Sequence, residues 1–199
     1  MEHLTNQIML RGTLSQLPQF SHENHGKRFY TFSLEVERLS GTVDILPVLM
    51  PEQVLWQMDL SGGDMLEITG QIRTFNSHSA ESRRLIISVY AQSLTSCEGV
   101  YLNEVELTGT ICKPPVCRMT PLGRQICDVM LAVNRSYHRA DYIPCILWGQ
   151  TARLAGECAV GTQLHLTGRL QSRQYVKVVD EESITRTAYE VSAMTAEII

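Results

Sequence analysis

Apolar positions along the chain come in short segments that turn-forming residues interrupt. NQIMLRGTL (6–14), VDILPVL (43–49), GDMLEITGQI (63–72) and LIISV (85–89) are rich in Val, Ile, Leu and Thr. Gly, Pro, Asn and Ser bound them, which is a strand-and-turn rhythm. One stretch in each half has a helical reading instead. PEQVLWQMDLSGG (51–63) sets Pro51 in a first helical turn and ends on glycines, and GQTARLAGECAVG (149–161) has the same place and length. Trp56 falls in the first of these helices, where packing is its expected role.

The segments repeat. NQIMLRGTL (6–14) lies over NEVELTGTI (103–111) at an offset of 97, and FYTFSLEVERLSGTVDILPVL (29–49) over ICDVMLAVNRSYHRADYIPCI (126–146) at the same offset. That overlay pairs Leu34 with Leu131, Val36 with Val133, Arg38 with Arg135, Asp44 with Asp141 and Pro47 with Pro144. GDMLEITGQI (63–72) follows GTQLHLTGRL (161–170) at 98, and LIISV (85–89) fits YEVSA (189–193) at 104, which makes the second copy six residues longer between those blocks. Ordered blocks at nearly one offset mark an internal repeat. The chain is expected to hold two domains, 1–97 and 101–199, joined near Thr95–Tyr101. The loop before the second strand is SHENHGK (21–27) in one copy and TPLGR (120–124) in the other. Strand–strand–strand–helix–strand–strand in each copy predicts an all-β chain with one short helix per domain: two tandem OB-fold five-stranded barrels.

Charge separates the copies. Residues 1–100 carry 7 Lys and Arg against 11 Asp and Glu, a net of −4, whereas residues 101–199 carry 10 of each. A generally polybasic binder is excluded, and the second copy is the better place for a polyanion. The six cysteines (97, 112, 117, 127, 145 and 158) include no C-x-x-C pair, so reduced thiols in a cytoplasmic protein are expected. No basic-then-apolar leader and no apolar run near a membrane span occurs.

Chemistry concentrates in LAVNRSYHRADYIPCILWG (131–149), which holds Tyr137, Tyr142 and Trp148 with Arg135, His138 and Arg139 between them. Strand alternation sets Tyr142, Pro144, Ile146 and Trp148 on one face and Ile143, Cys145 and Leu147 on the other. The second set suits a core, the first an exposed surface bearing rings. In RLQSRQYVK, residues Arg169, Gln171, Arg173, Tyr175 and Lys177 share a face. Cations beside a ring suit a phosphate backbone whose bases stack, and because every base has a π-face, selection by sequence should be weak. Arg135 and Arg139 could equally cap a loop with Asp141. Lys113 and Arg118 are weaker candidates.

NEVELTGTI, TPLG, LAVNRS, DYIPCILWG, GTQLHLTGRLQSRQY and YEVSA, in that order, resemble the DNA-binding domain of bacterial single-stranded-DNA-binding proteins over residues 103–198. The first copy follows the skeleton more loosely over 6–94. The resemblance implies that single strands wrap OB barrels and stack on aromatics at Tyr137, Tyr142, Trp148 and Tyr175. It implies roles in replication, recombination or repair near the nucleoid. It also implies a homodimer, since members with two domains per chain pair to reach four barrels. The first copy has Ser40, Ile45, Pro51 and Ser77 at the four ring positions, so it is expected to be mainly architectural, with Arg73 and Phe75 as its residual binding features. The chain ends at AEII without the acidic tip through which such proteins recruit enzymes, so tail-mediated recruitment is not expected, and an accessory, mobile-element or phage version is favoured over the main cellular protein.

No nucleotide-loop, zinc-protease or nucleophile-elbow motif occurs, so no enzyme is expected and no cofactor is implied. His22, Glu23 and His25 in SHENHG are read as a polar loop. The competing class is an OB-fold adaptor of the primosome type with weak nucleic-acid binding.

Overall fold

A computed structural model describes residues 6–56, 58–79, 82–179 and 182–199. The apolar alternation becomes strands because each buries every second side chain. In β1 (Asn6–Leu14), Ile8, Leu10 and Leu14 are buried while Gln7 and Met9 are exposed. The first half continues with β2 (Gln19–Asn24), β3 (Lys27–Glu37), β4 (Val43–Pro51), helix α1 (Glu52–Leu55), β5 (Met65–Ser79) and β6 (Ser82–Ser96). The second repeats it as β7 (Leu102–Ile111), β8 (Val116–Met119), β9 (Gln125–Arg135), β10 (Arg139–Trp148), helix α2 (Gln150–Gly156), β11 (Gln163–Val179) and β12 (Glu182–Ile198).

Each half closes on itself. Strand β1 pairs with β5, β5 with β6, β6 in parallel with β4, and β4 with β3. The ring shuts where β3 returns to β1, at Thr13↔Glu35 and Leu14↔Leu34. Strands β7, β11, β12, β10 and β9 follow the same circuit. These are two OB-fold five-stranded barrels. Their cores are Leu10, Leu14, Leu34, Leu46, Met50, Leu66, Ile68 and Ile72 in one, and Leu107, Ile111, Leu131 and Ile143 in the other, all fully buried. Each such side chain contributes about 1.5–3 kcal/mol by leaving water. Gly70 and Gly168 sit at matching bulges in β5 and β11, where a Cβ would come within 2.1 Å of the Tyr90 carbonyl oxygen and 2.2 Å of that of Ser192.

Four expectations are corrected. First, the segment read as a loop, SHENHGK, is a hairpin: residues 21–24 end β2, which lies outside the ring on β3, and the turn falls at His25–Gly26. Second, α1 is a single turn, and Trp56, at its end, is 72% exposed instead of packed. Third, the last strands align at an offset of 102, not 104. Parallel pairing sets Val89 on Val48 and Val191 on Cys145, so the insertion between blocks is four residues. A slip of two keeps every side chain on its face, so alternation could not detect it. Fourth, the cysteines are not all reduced. Cys117 and Cys127 face each other across β8 and β9 and are joined by a disulfide. The turn between them folds a ten-residue separation into direct register, a pairing no C-x-x-C search can find.

The barrels meet through antiparallel β1 and β7, which make one twelve-stranded sheet of the described strands. Ile8 lies opposite Val105, its own counterpart in the repeat, so a local two-fold axis passes through this pair. About that axis the long β5–β6 and β11–β12 hairpins reach across to the opposite barrel. Asp44, fully buried, accepts hydrogen bonds from Arg38 Nε (2.7 Å) and Nη2 (2.6 Å), and from the Ser172 N–H (2.7 Å) and hydroxyl (2.9 Å) of the other half. Its counterpart Asp141, equally buried, accepts from the Thr74 N–H (2.7 Å), Arg73 (3.0 Å) and Arg135 (3.2 Å).

Candidate nucleic-acid interface

The rings of the second half stand where alternation set them. Along β10, Ile143, Cys145 and Leu147 are buried in the barrel while Tyr142 is 46% and Trp148 37% exposed. Ile146 departs from that row and is buried, because β10 pairs there with β12 at Ser192. Trp148 Nε1 donates to Ser192 Oγ at 3.1 Å, which fixes one edge of the indole. Tyr137 projects from the β9–β10 turn, 91% exposed, with the backbone at positive φ both there and at His138. Few side chains adopt that conformation, and here it lifts the ring clear of the barrel. Tyr175 is exposed on β11, beyond the point where that strand leaves the barrel.

The cations divide. Arg139 is exposed beside Tyr137 and His138, with which it lines a shallow cavity. Arg173 is exposed and stands 3.7 Å from the Glu190 carboxylate, which also accepts from Gln171. Arg135 is engaged with Asp141. Arg169 is partly buried, and its Nε has no hydrogen-bond partner among the described residues. The Lys177 side chain lies outside the described residues. Arg118 is paired with Asp128 across β8 and β9.

In the first half, Ser40, Ile45, Pro51 and Ser77 supply no ring. Phe75 is 54% exposed, but Arg73 is occupied by Asp141 and stacks over Tyr90. Arg73 therefore ties the halves together. So does Thr74, whose hydroxyl accepts the Tyr142 N–H at 2.8 Å, so the first half helps fix the strand that carries the second half's rings. Sequence reasoning misses a ring cluster on the β2–β3 hairpin. His22 stacks on Phe29, and Arg28 lies over Phe20 and Tyr30. Cross-strand pairing makes these contacts, and a segment read as a loop gives no sign of it.

Two OB barrels with an exposed, ring-bearing strand on one of them define an OB-fold chain suited to flat, anionic ligands. Residues 102–199 match the family model described as the single-strand binding protein family. Over 100 residues the chain is 38% identical to single-stranded DNA-binding protein B of Bacillus subtilis (strain 168), covering 47% of this chain and 86% of that protein. Over 81 residues it is 36% identical to the single-stranded DNA-binding protein of Enterococcus faecalis (strain ATCC 700802 / V583), covering 37% of this chain and 43% of that one. The crystal structure of wild-type single-stranded DNA binding protein from Thermus aquaticus superposes with a TM-score of 0.80 over 98% of this chain and 92% of that chain, at 23% identity, and so shares the fold. The chain belongs to the single-strand binding protein family.

Proposed function

We propose that this protein binds single-stranded DNA with little sequence preference, stacking bases on Tyr137, Tyr142, Trp148 and Tyr175 and meeting phosphates with Arg139 and Arg173. The observation that carries this reading is the exposure of all four rings in the half that matches the family. A ring half in water exposes a π-face that a base can cover, at about 1–3 kcal/mol per base. Arg135, Arg169 and Lys177 are secondary phosphate contacts in this reading. Family membership points to a binding protein rather than an enzyme, serving replication, recombination or repair at the nucleoid.

We take the halves as two domains, 1–97 and 101–199, the first mainly architectural. Arg73 and Thr74 support that division, since both act on the second half. Two chains would pair as a homodimer of four barrels, which a mass measurement in solution tests.

Both tryptophans are exposed, so the deciding experiment separates them. In a Trp56→Phe variant, poly-dT should quench the remaining Trp148 fluorescence, and rising salt should reverse the effect steeply. An unquenched Trp148 would overturn the reading and favour the adaptor.

A further inference from the structure

We infer that the Cys117–Cys127 disulfide is a redox-labile brace for DNA binding, which holds the edge strand β8 in place so that Arg118 meets a phosphate beside Trp148. The inference rests on single-stranded DNA being the ligand. It starts from the register of three neighbouring strands. Ile126 of β9 pairs with Trp148 on one side and with Arg118 of β8 on the other, and Cys127 pairs with Leu147 and Cys117. Side chains directly opposite one another share a face of the sheet. Leu147 and Cys127, both fully buried, face the barrel core. Trp148, Ile126 and Arg118 therefore share the opposite face, the one that carries the rings, and Ile126 is buried there outside the core cluster. Arg118 stands two strand spacings from Trp148, about 10 Å. Its side chain is half exposed.

The partner of Arg118 holds it loosely. The Asp128 side chain is 43% exposed, and an ion pair so open to water contributes little, so a phosphate can take its place. The disulfide is what keeps Arg118 on this face. Strand β8 is the last of the sheet: all four of its residues are exposed, and among the described residues it pairs with β9 alone. Burial therefore does not hold it, and two strands alone make a marginal hairpin. The bond to buried Cys127 ties β8 to the core, and α2 packs against it, since a Cβ on Gly156 would lie 2.9 Å from Cys117 Sγ. A dithiol reductant undoes the tie. Its thiolate attacks Cys117 Sγ on the exposed strand, and the electron pair of the S–S bond leaves on Cys127 Sγ, which takes up a proton from the reductant. The second thiol of the reductant then displaces Cys117 and gives up its proton to it, so the protein gains two thiols and the reductant becomes a disulfide. In the reduced protein β8 opens and Arg118 leaves the ring-bearing face. Asp128 stays behind as an unpaired negative charge, which further opposes a phosphate.

The test follows Trp148 fluorescence in the Trp56→Phe background as oligo-dT is added across a salt series, before and after treatment with a dithiol reductant. Reduction should weaken binding and make the slope of log K against log salt shallower by about 0.7, the share of one phosphate contact on a single strand. Arg118→Gln should show the same shallower slope in the oxidised protein and leave reduction nothing further to remove. Arg118→Lys, which keeps the charge, should retain the redox response, and Cys117→Ser should show the reduced slope with or without reductant. Hydrogen exchange reads the brace without DNA: the β8 amides should exchange faster after reduction, while those of β10 and β12 stay as they were. Equal slopes for the oxidised and reduced parent, a redox effect that survives in Arg118→Gln, or unchanged exchange in β8 would overturn the inference while leaving the ring site standing. An oxidised parent whose Trp148 oligo-dT does not quench would instead remove the proposed function itself.

Discussion

Replacing Asp44 by asparagine removes one negative charge from the seam between the halves and changes almost no volume. Asp44 is fully buried and accepts four hydrogen bonds, two from Arg38 and two from Ser172. Breaking a buried ion pair by neutralising one partner costs about 3–5 kcal/mol, because the other charge is left uncompensated. Arg38 retains partial access to water and the asparagine carbonyl can still accept, so the lower end applies, about 3 kcal/mol. With a urea m-value of about 3 kcal/mol/M, the unfolding midpoint should fall by about 1 M. The pH dependence carries a sign. Burial pushes the Asp44 carboxyl up, but the Arg38 guanidinium and the Ser172 N–H and hydroxyl outweigh it and hold it below the usual carboxylate range. A lowered carboxyl contributes its full stability above the unfolded value of about 3.9 and loses it as pH falls through the folded value. The gap between parent and D44N should therefore be constant from neutral pH to about pH 5 and close below pH 4. The assay is urea unfolding followed by circular dichroism at several pH values. A midpoint shift under about 0.3 M at pH 7, or a gap that widens in acid, would refute the assignment of Asp44 as a charged lock between the halves.

Four further substitutions test other parts of the structure. Trp148→Ala and Tyr175→Ala should each weaken oligo-dT binding by about 1–3 kcal/mol, with little change in salt slope, as measured by fluorescence-anisotropy titration. Without reductant, the denatured protein should expose four thiols to a chromogenic thiol reagent, and six after reduction, since only Cys117 and Cys127 are joined. Cys127→Ser should then lower stability by about 2–3 kcal/mol, the loop-closure contribution of a ring this short. Gly168→Ala drives a Cβ against the Ser192 carbonyl, so it should cost about 1–3 kcal/mol in urea unfolding and spoil the β11–β12 register that positions Tyr175.

Much of the fold is legible in the residues because strand alternation and turn residues are local signals. The repeat of Leu34, Val36 and Asp44 in Leu131, Val133 and Asp141 lays the second copy over the first from residue identities alone. The rings of β10 are legible for the same reason: Ile143, Cys145 and Leu147 have to face inward, which leaves Tyr142 and Trp148 outside. Ile146 escapes because its burial depends on β12, a partner distant in sequence. The cations are the least legible part of the site. Arg73 and Arg135 share a face or a loop with rings, yet both are held by Asp141, and no local pattern says which arginine will meet a buried carboxylate.

By itself, the sequence determined the barrel strands, the duplication and most of the strand faces, since these follow from side-chain period and turn chemistry along the chain. It did not determine the β2–β3 hairpin, the length of α1 or the burial of Ile146. Only the tertiary structure decided what lies between the copies. The dyad at Ile8 and Val105, the exchanged contacts of Asp44 and Asp141 and the Cys117–Cys127 bond all join residues whose proximity depends on how strands pair. Pairing register is set by backbone hydrogen bonds between distant segments, and a two-residue slip leaves the alternating pattern unchanged.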